Sequence, residues 1–403
     1  MKKLIALIAC ISVLLCLLSG CGSGTAVEPV EDEVEAAPAE TAAADTDAED
    51  SGISIMLGGL GYETYGPDTV VGVVAGTDVT WMEYFYWLNY YTNYYIQMAQ
   101  MYGISLTSWD AVGELSSENA NGDALIAMTE YTIKQYHTVA LEADNAGIRL
   151  SDEDLASLES VYEDSCDTDG DGEVTEEELA AFEAYLAEQH VDKEFFLYLN
   201  EIAYLSDKLF DHYYGANGEQ CPDDIVMDYI AETGAMSAKH ILLLTVDSST
   251  REALDEETVA QKLETAETLQ AELAAVQDDK EALIELFDEY MDEYTEDTGY
   301  AANPDGYVFV EGDMVAEFED AVKALDDDYG LSDVVESPYG YHIIMRQPIS
   351  PDTAVGLNSY GEEVTFRYAA AEEQFAAMLS AWTDSADAAW NDDVVIDMPA
   401  IFG

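Results

Sequence analysis

The chain has 403 residues, of which 85 are Asp or Glu and 13 are Lys or Arg, for a formal net charge of −72. Nucleic-acid binding is excluded, because neutralising phosphates requires a basic face. A charge of this size keeps an exposed protein solvated and can attract basic unfolded chains or divalent cations.

The N-terminus reads Met1-Lys-Lys, an apolar run from Leu4 to Leu18, then Leu18-Ser-Gly-Cys21. A charged start, an apolar run too short to span a membrane comfortably and a small-residue site describe an export signal over residues 1–20. The Leu-Ser-Gly-Cys ending resembles the lipobox of bacterial lipoproteins. That resemblance implies lipidation of Cys21 and a mature protein lipid-anchored at the extracytoplasmic face of a bacterial cell membrane. Residues 21–66 follow as an acidic linker, and up to about Asp50 they hold almost no large apolar side chain, so they are expected to be a disordered tether. Cys10 and Cys16 leave with the signal. Cys166 and Cys221 remain, and the exported compartment permits a disulfide whose formation the sequence leaves open.

Val70-Val-Gly-Val-Val-Ala-Gly reads as a short strand. Thr80-Trp-Met-Glu83 is a capping box opening a helix that carries Tyr84, Phe85, Tyr86, Trp87, Tyr90, Tyr91, Tyr94 and Tyr95. One buried face cannot hold so many rings. They are either core and a homodimer interface, or in part a crevice for unfolded clients. Further helices are predicted at about 123–146, 151–165, 175–189 and 192–215.

Between two of these helices stands Asp167-Thr-Asp169-Gly-Asp171-Gly172-Glu173-Val174-Thr175-Glu-Glu-Glu178. It follows the EF-hand loop position by position, with carboxylates at one, three and five, glycine at six and glutamate at twelve. Asp167, Asp169, Asp171, Glu173, Thr175 and Glu178 are the expected ligand positions for one structural Ca2+. A lone loop without its usual pair implies modest affinity, on the order of 10⁻⁴–10⁻³ M.

Two histidines lie in apolar strand-like runs about a hundred residues apart: His240 in Ser237-Ala-Lys-His-Ile-Leu-Leu-Leu244 and His342 in Ser337-Pro-Tyr-Gly-Tyr-His-Ile-Ile-Met-Arg346. Between them come a helix-patterned stretch from Asp247 to Asp288, a polar loop Tyr294-Thr-Glu-Asp297-Thr-Gly299, and Asn303-Pro-Asp-Gly-Tyr-Val-Phe309. A short helix at Glu311-Gly-Asp-Met314-Val-Ala-Glu-Phe318 completes the interval. Met314 and Phe318, four apart, fall on one face of that helix.

The type, order and spacing of these elements resemble the parvulin family of peptidyl-prolyl isomerases over roughly Ser237 to Pro348. The resemblance implies an FKBP-like α+β domain with His240 and His342 as paired core histidines. It also implies Asp297 facing the substrate amide, Ser337 in the same polar network, Met314 and Phe318 as the proline pocket, and no catalytic cofactor. The family's Gly-Gly-Asp-Leu-Gly turn is replaced here by Asn303-Pro304-Asp305-Gly306-Tyr307, which puts turnover in question more than fold. Arg251 is the one base in the loop after the first histidine strand, which disfavours phosphopeptide specificity.

More loosely, the strand and aromatic helix resemble the chaperone region of PrsA- and SurA-type foldases, where a parvulin module is inserted into a helical domain. The expected fold is therefore α+β. A mainly helical domain at 67–236, with the EF-hand-like loop at 167–178, is completed by 350–403, where Glu372–Trp390 forms a helix. The parvulin domain occupies 237–349. The implied function is prolyl isomerisation and chaperoning of exported polypeptides outside the membrane. A silent parvulin-fold holdase and a calcium-dependent binding lipoprotein stay open as alternatives.

Overall fold

The computed structural model describes residues 61–103, 106–325, 328–358 and 361–402. The export signal, Cys21 and nearly all of the acidic tether lie outside them. In chain order the elements are β1 (Val70–Val74), β2 (Thr77–Thr80), α1 (Trp81–Met101), α2 (Asn121–Ala146), α3 (Asp152–Cys166), α4 (Glu176–Glu188), α5 (Lys193–Tyr214) and α6 (Asp223–Thr233). Then come β3 (Met236–Leu244), α7 (Glu256–Val276), α8 (Lys280–Tyr294), β4 (Tyr307–Phe309), α9 (Ala316–Ala324), β5 (Val335–Glu336) and β6 (Gly340–Arg346). The chain closes with β7 (Ala354–Leu357), β8 (Glu363–Thr365), α10 (Phe366–Ser385), β9 (Ala388–Trp390) and α11 (Met398–Phe402). The fold is α+β. Among the described residues no helix is long and apolar enough to cross a membrane.

These elements form two compact units, one up to Tyr213 with 372–403 and the other Tyr214–Ala371. The second is wider than the 237–349 expected from sequence. It also takes in α6 and the β7–β8 hairpin, held by Arg367, which pairs with Asp223 at 2.8 Å and Asp352 at 2.7 Å and donates to the Cys221 carbonyl at 2.8 Å.

In the first unit, Ala75 and Gly76 sit at φ 50° and 82°, as a tight hairpin between β1 and β2 requires. The Thr80 hydroxyl accepts the Glu83 amide at 3.3 Å and starts α1, but the Glu83 carboxylate turns inward to His137 at 3.0 Å. Tyr84, Phe85, Trp87 and Leu88 are buried. Capping boxes at Ser151/Asp154 and Thr175/Glu178 open α3 and α4, satisfying amides a helix start leaves orphaned. The expected helix at 372–390 ends instead at Ser385, and Trp390 lies in β9, which adds antiparallel to β1. Its ring fills the space that Gly72 leaves, where a Cβ would come within 2.5 Å of it. Cys166 and Cys221 are both buried and free.

The second unit is built on an antiparallel sheet of order β4-β3-β6-β5. Alternation along β3 and β6 gives each face its own core. Ile241, Ile343 and Met345 pack on Leu269, Leu273, Leu283, Phe287 and Met291 of α7 and α8. Ala238 and Ile344 pack on Phe318 and Val322 of α9. The stretch expected as helix from Asp247 to Asp288 is shorter and broken. Asp247 folds its own loop by accepting the Ser249 and Thr250 amides, and Asp279 caps α8 at the Ala282 amide. Short polar side chains that bond nearby amides favour turns and caps over helix interiors. Phe287 is fully buried. Phe287→Ala should cost this unit about 3–5 kcal/mol, read as faster amide exchange across β3 and β6.

Candidate active site

The antiparallel register opposes His240 to Ile344 and Leu242 to His342. The two histidines therefore stand diagonally on one face of the sheet, within reach of each other. Their rings are stacked with centroids 5.2 Å apart, and Nδ1 faces Nδ1 at 3.0 Å. His240 Nε2 lies 3.0 Å from Asp297 Oδ2, and Ser337 Oγ lies 2.7 Å from His342 Nε2. Ser337 in turn accepts the Tyr339 amide at 3.1 Å. Asp297, His240, His342 and Ser337, drawn from the loop after α8, two strands and the turn before β6, thus form one continuous chain.

Donor and acceptor rules give that chain a direction. Burial would raise the Asp297 pKa, but hydrogen bonds from His240, Tyr307 and the Gly299 amide outweigh it and hold the carboxyl down to about 2. An ionised carboxylate only accepts, so His240 donates from Nε2. With one N–H on each ring, His240 Nδ1 accepts from His342 Nδ1–H, and His342 Nε2 accepts the Ser337 hydroxyl. Burial, and next the neighbouring His240 ring, lower the His342 pKa to about 3.

Phe318 is buried and meets His240 and His342 edge-on, at 5.2 and 5.8 Å between centroids. Met314 is half-buried against the same cluster. It precedes α9 rather than lying within it, so the Met314/Phe318 pair spans the helix start. The buried Glu319 fixes that start by accepting the Gly312 and Met314 amides at 2.7 and 3.0 Å.

Sequence reasoning missed Tyr307. Its hydroxyl donates to Asp297 Oδ2 at 2.5 Å, and its ring meets His240 edge-on. The departure from the family turn is what brings it there. Gly306 has φ 95° and passes close to β3, where a Cβ would meet the Ala238 carbonyl oxygen at 2.6 Å. Gly299 is equally constrained, since a Cβ there would lie 2.3 Å from the Tyr307 oxygen. A Tyr-for-Gly exchange in a turn next to a loop carboxylate was the available signal. The Arg251 guanidinium lies over the Tyr339 ring at 5.1 Å.

In the EF-hand-like loop, Asp167, Asp169 and Asp171 bring carboxylate oxygens within 4.8 Å of one another. Gly170 and Gly172 take positive φ, 78° and 86°. Asp167 accepts the amides of both glycines, at 2.6 and 3.1 Å. Glu178 reaches back to Thr168 and Thr175 and lies outside the aspartate cluster, as does Glu173. The Thr175 and Thr168 hydrogen bonds hold the Glu178 carboxyl down to about 2.

Residues 240–347 match the family model of the rotamase, PPIC-type PPIase domain. Among solved structures the chain is similar to PrsA peptidylprolyl isomerase from Bacillus cereus, with 18% identity over 68% of this chain and 85% of that one, TM-score 0.23. PrsA from Bacillus subtilis gives 17% over 83% and 97%, TM-score 0.21. The foldase protein PrsA from Streptococcus pneumoniae gives 14% over 70% and 88%, TM-score 0.22. No curated protein matches.

Two measurements check the geometry. Because the His342 pKa is lowered on folding, the unfolded chain binds a proton below pH 6.5 that the folded chain refuses down to about 3. Stability should therefore fall as pH drops through that window, with a slope of up to about 1.4 kcal/mol per pH unit. Urea unfolding of His342→Gln should lack this component. Tyr307→Phe removes one donor to Asp297, so the Asp297 pKa, followed by carboxyl NMR, should move up from about 2. An unchanged value would deny Tyr307 its role.

Proposed function

We propose that the chain, carrying a PPIC-type rotamase domain at 240–347, is an exported foldase that isomerises X–Pro bonds in polypeptides folding outside the membrane. The observation that carries the reading is the Asp297–His240–His342–Ser337 chain lying against Phe318. Rotating a prolyl amide over its barrier of about 18–20 kcal/mol requires loss of resonance. The planar amide oxygen carries more negative charge than the twisted one. A fixed, half-buried carboxylate beside the pocket therefore disfavours the planar ground state relative to the twisted one. Met314 and Phe318 supply the apolar contact for the pyrrolidine ring. All three groups that donate to Asp297 hold it in place, so its role is electrostatic and requires no covalent step.

The altered turn at 303–307 is compatible with turnover, because Tyr307 adds a donor to Asp297. This favours an active isomerase over the silent holdase. The lipobox-like Leu18-Ser-Gly-Cys21 supports a lipid anchor at Cys21 and an extracytoplasmic location. Three converging aspartates in an EF-hand sequence support one structural Ca2+ joining α3 to α4.

Catalysis of a proline-limited refolding reaction tests the enzyme reading. The wild type should accelerate it, and a folded Asp297→Ala variant should lose most of that acceleration. No acceleration by folded wild type would leave only a chaperone on an isomerase fold. For the ion, millimolar Ca2+ should raise the thermal midpoint reported by tryptophan fluorescence, all five tryptophans lying outside 214–371. Asp167→Ala should abolish the shift.

A further inference from the structure

Along α1 the first turns are buried and the last turns surface. Tyr94, Met101 and Tyr102 are 46%, 68% and 69% exposed, and Tyr90, Tyr95 and Met98 are half-buried. The rings form a ladder. Tyr90 stacks on Tyr94 at 6.3 Å, Tyr91 on Tyr95 at 6.5 Å, and Tyr94 meets Tyr95 edge-on at 5.2 Å. The whole helix holds one charged residue, Glu83, which is buried against His137. From residue 61 to residue 133 every Asp, Glu, Lys or Arg in the sequence is an Asp or a Glu. An aromatic, uncharged face thus emerges from a stretch of purely negative charge.

Elsewhere this chain sets cations on tyrosine faces. Lys193 lies over Tyr162 at 4.2 Å, Lys280 over Tyr329 at 4.8 Å, and Arg251 over Tyr339 at 5.1 Å. The face of α1 fits the same chemistry supplied from outside. A second copy is a poor occupant, because association would bring together two chains of charge −72. An extended segment with Arg or Lys spaced among apolar residues gains three times over: ring contact, cation–π attraction and relief of the negative field. We propose that the Tyr90–Tyr102 face of α1 docks unfolded polypeptide segments bearing Arg or Lys among apolar residues, and so selects clients by charge. The inference rests on the foldase reading above but not on catalysis.

Two unstructured, proline-free peptides of equal apolar content, one with Arg and Lys and one with Glu in their place, provide the test. Each is titrated by fluorescence anisotropy with the full chain and with a Tyr94→Ser/Met101→Ser/Tyr102→Ser variant of matching circular dichroism. The basic peptide should bind at least about tenfold more tightly than the acidic one, weaken with added salt, and lose about tenfold in the variant. Equal binding of the two peptides, or undiminished binding of the basic one by the variant, overturns the proposal. So does loss of a concentration-dependent dimer in the variant with peptide affinity unchanged, which would assign the face to a second copy. Isomerisation of a short X–Pro peptide is followed on the same samples and should be unaffected by the three substitutions. Its absence in the wild type would count against the enzyme reading while leaving the docking result intact.

Discussion

A buried imidazole needs a partner at each nitrogen, and two imidazoles facing each other through Nδ1 can serve one another only if the outer ends fix which ring donates. Here those ends are Asp297, which can only accept, and Ser337, whose hydroxyl can donate while the Tyr339 amide donates to it. Everything near the site follows from keeping that chain closed. The β3–β6 register puts the rings on one face, Gly299 and Gly306 let the turn approach, and Tyr307 supplies a further donor to the carboxylate. Phe318 closes the apolar side, packing edge-on against both imidazoles.

The two units spend their aromatic residues differently. In 214–371 the rings near the histidines sit edge-on to imidazole and complete a packed site. In the other unit α1 buries its first rings and leaves its last ones at the surface. The overwhelming negative charge adds little to either core. It bears instead on solvation and on the long-range field around the chain, because it acts over distances that packing does not.

Much of this was legible in the residues. The strands holding His240 and His342 were readable because strand periodicity is a local signal, while their pairing came from the resemblance to the parvulin family, and the family match over 240–347 falls on the same stretch. Capping boxes at Ser151 and Thr175 were equally readable, since they depend on side chains three apart. What escaped depended on distant partners. The Glu83 carboxylate left its capping role for His137 across α2, and Trp390 left its predicted helix because Gly72, far away in sequence, made room beside β1. Tyr307 was visible only as a broken motif. Its reach to Asp297 requires two loops to meet, which no periodicity encodes.

The central claim is the direction of the hydrogen-bond chain, and nitrogen-15 NMR of the imidazole rings reads it directly. At neutral pH the account predicts the proton on Nε2 of His240 and on Nδ1 of His342, with His342 remaining neutral far into the acid range. A proton on Nε2 of His342, or an imidazolium at that position near pH 6, would contradict it.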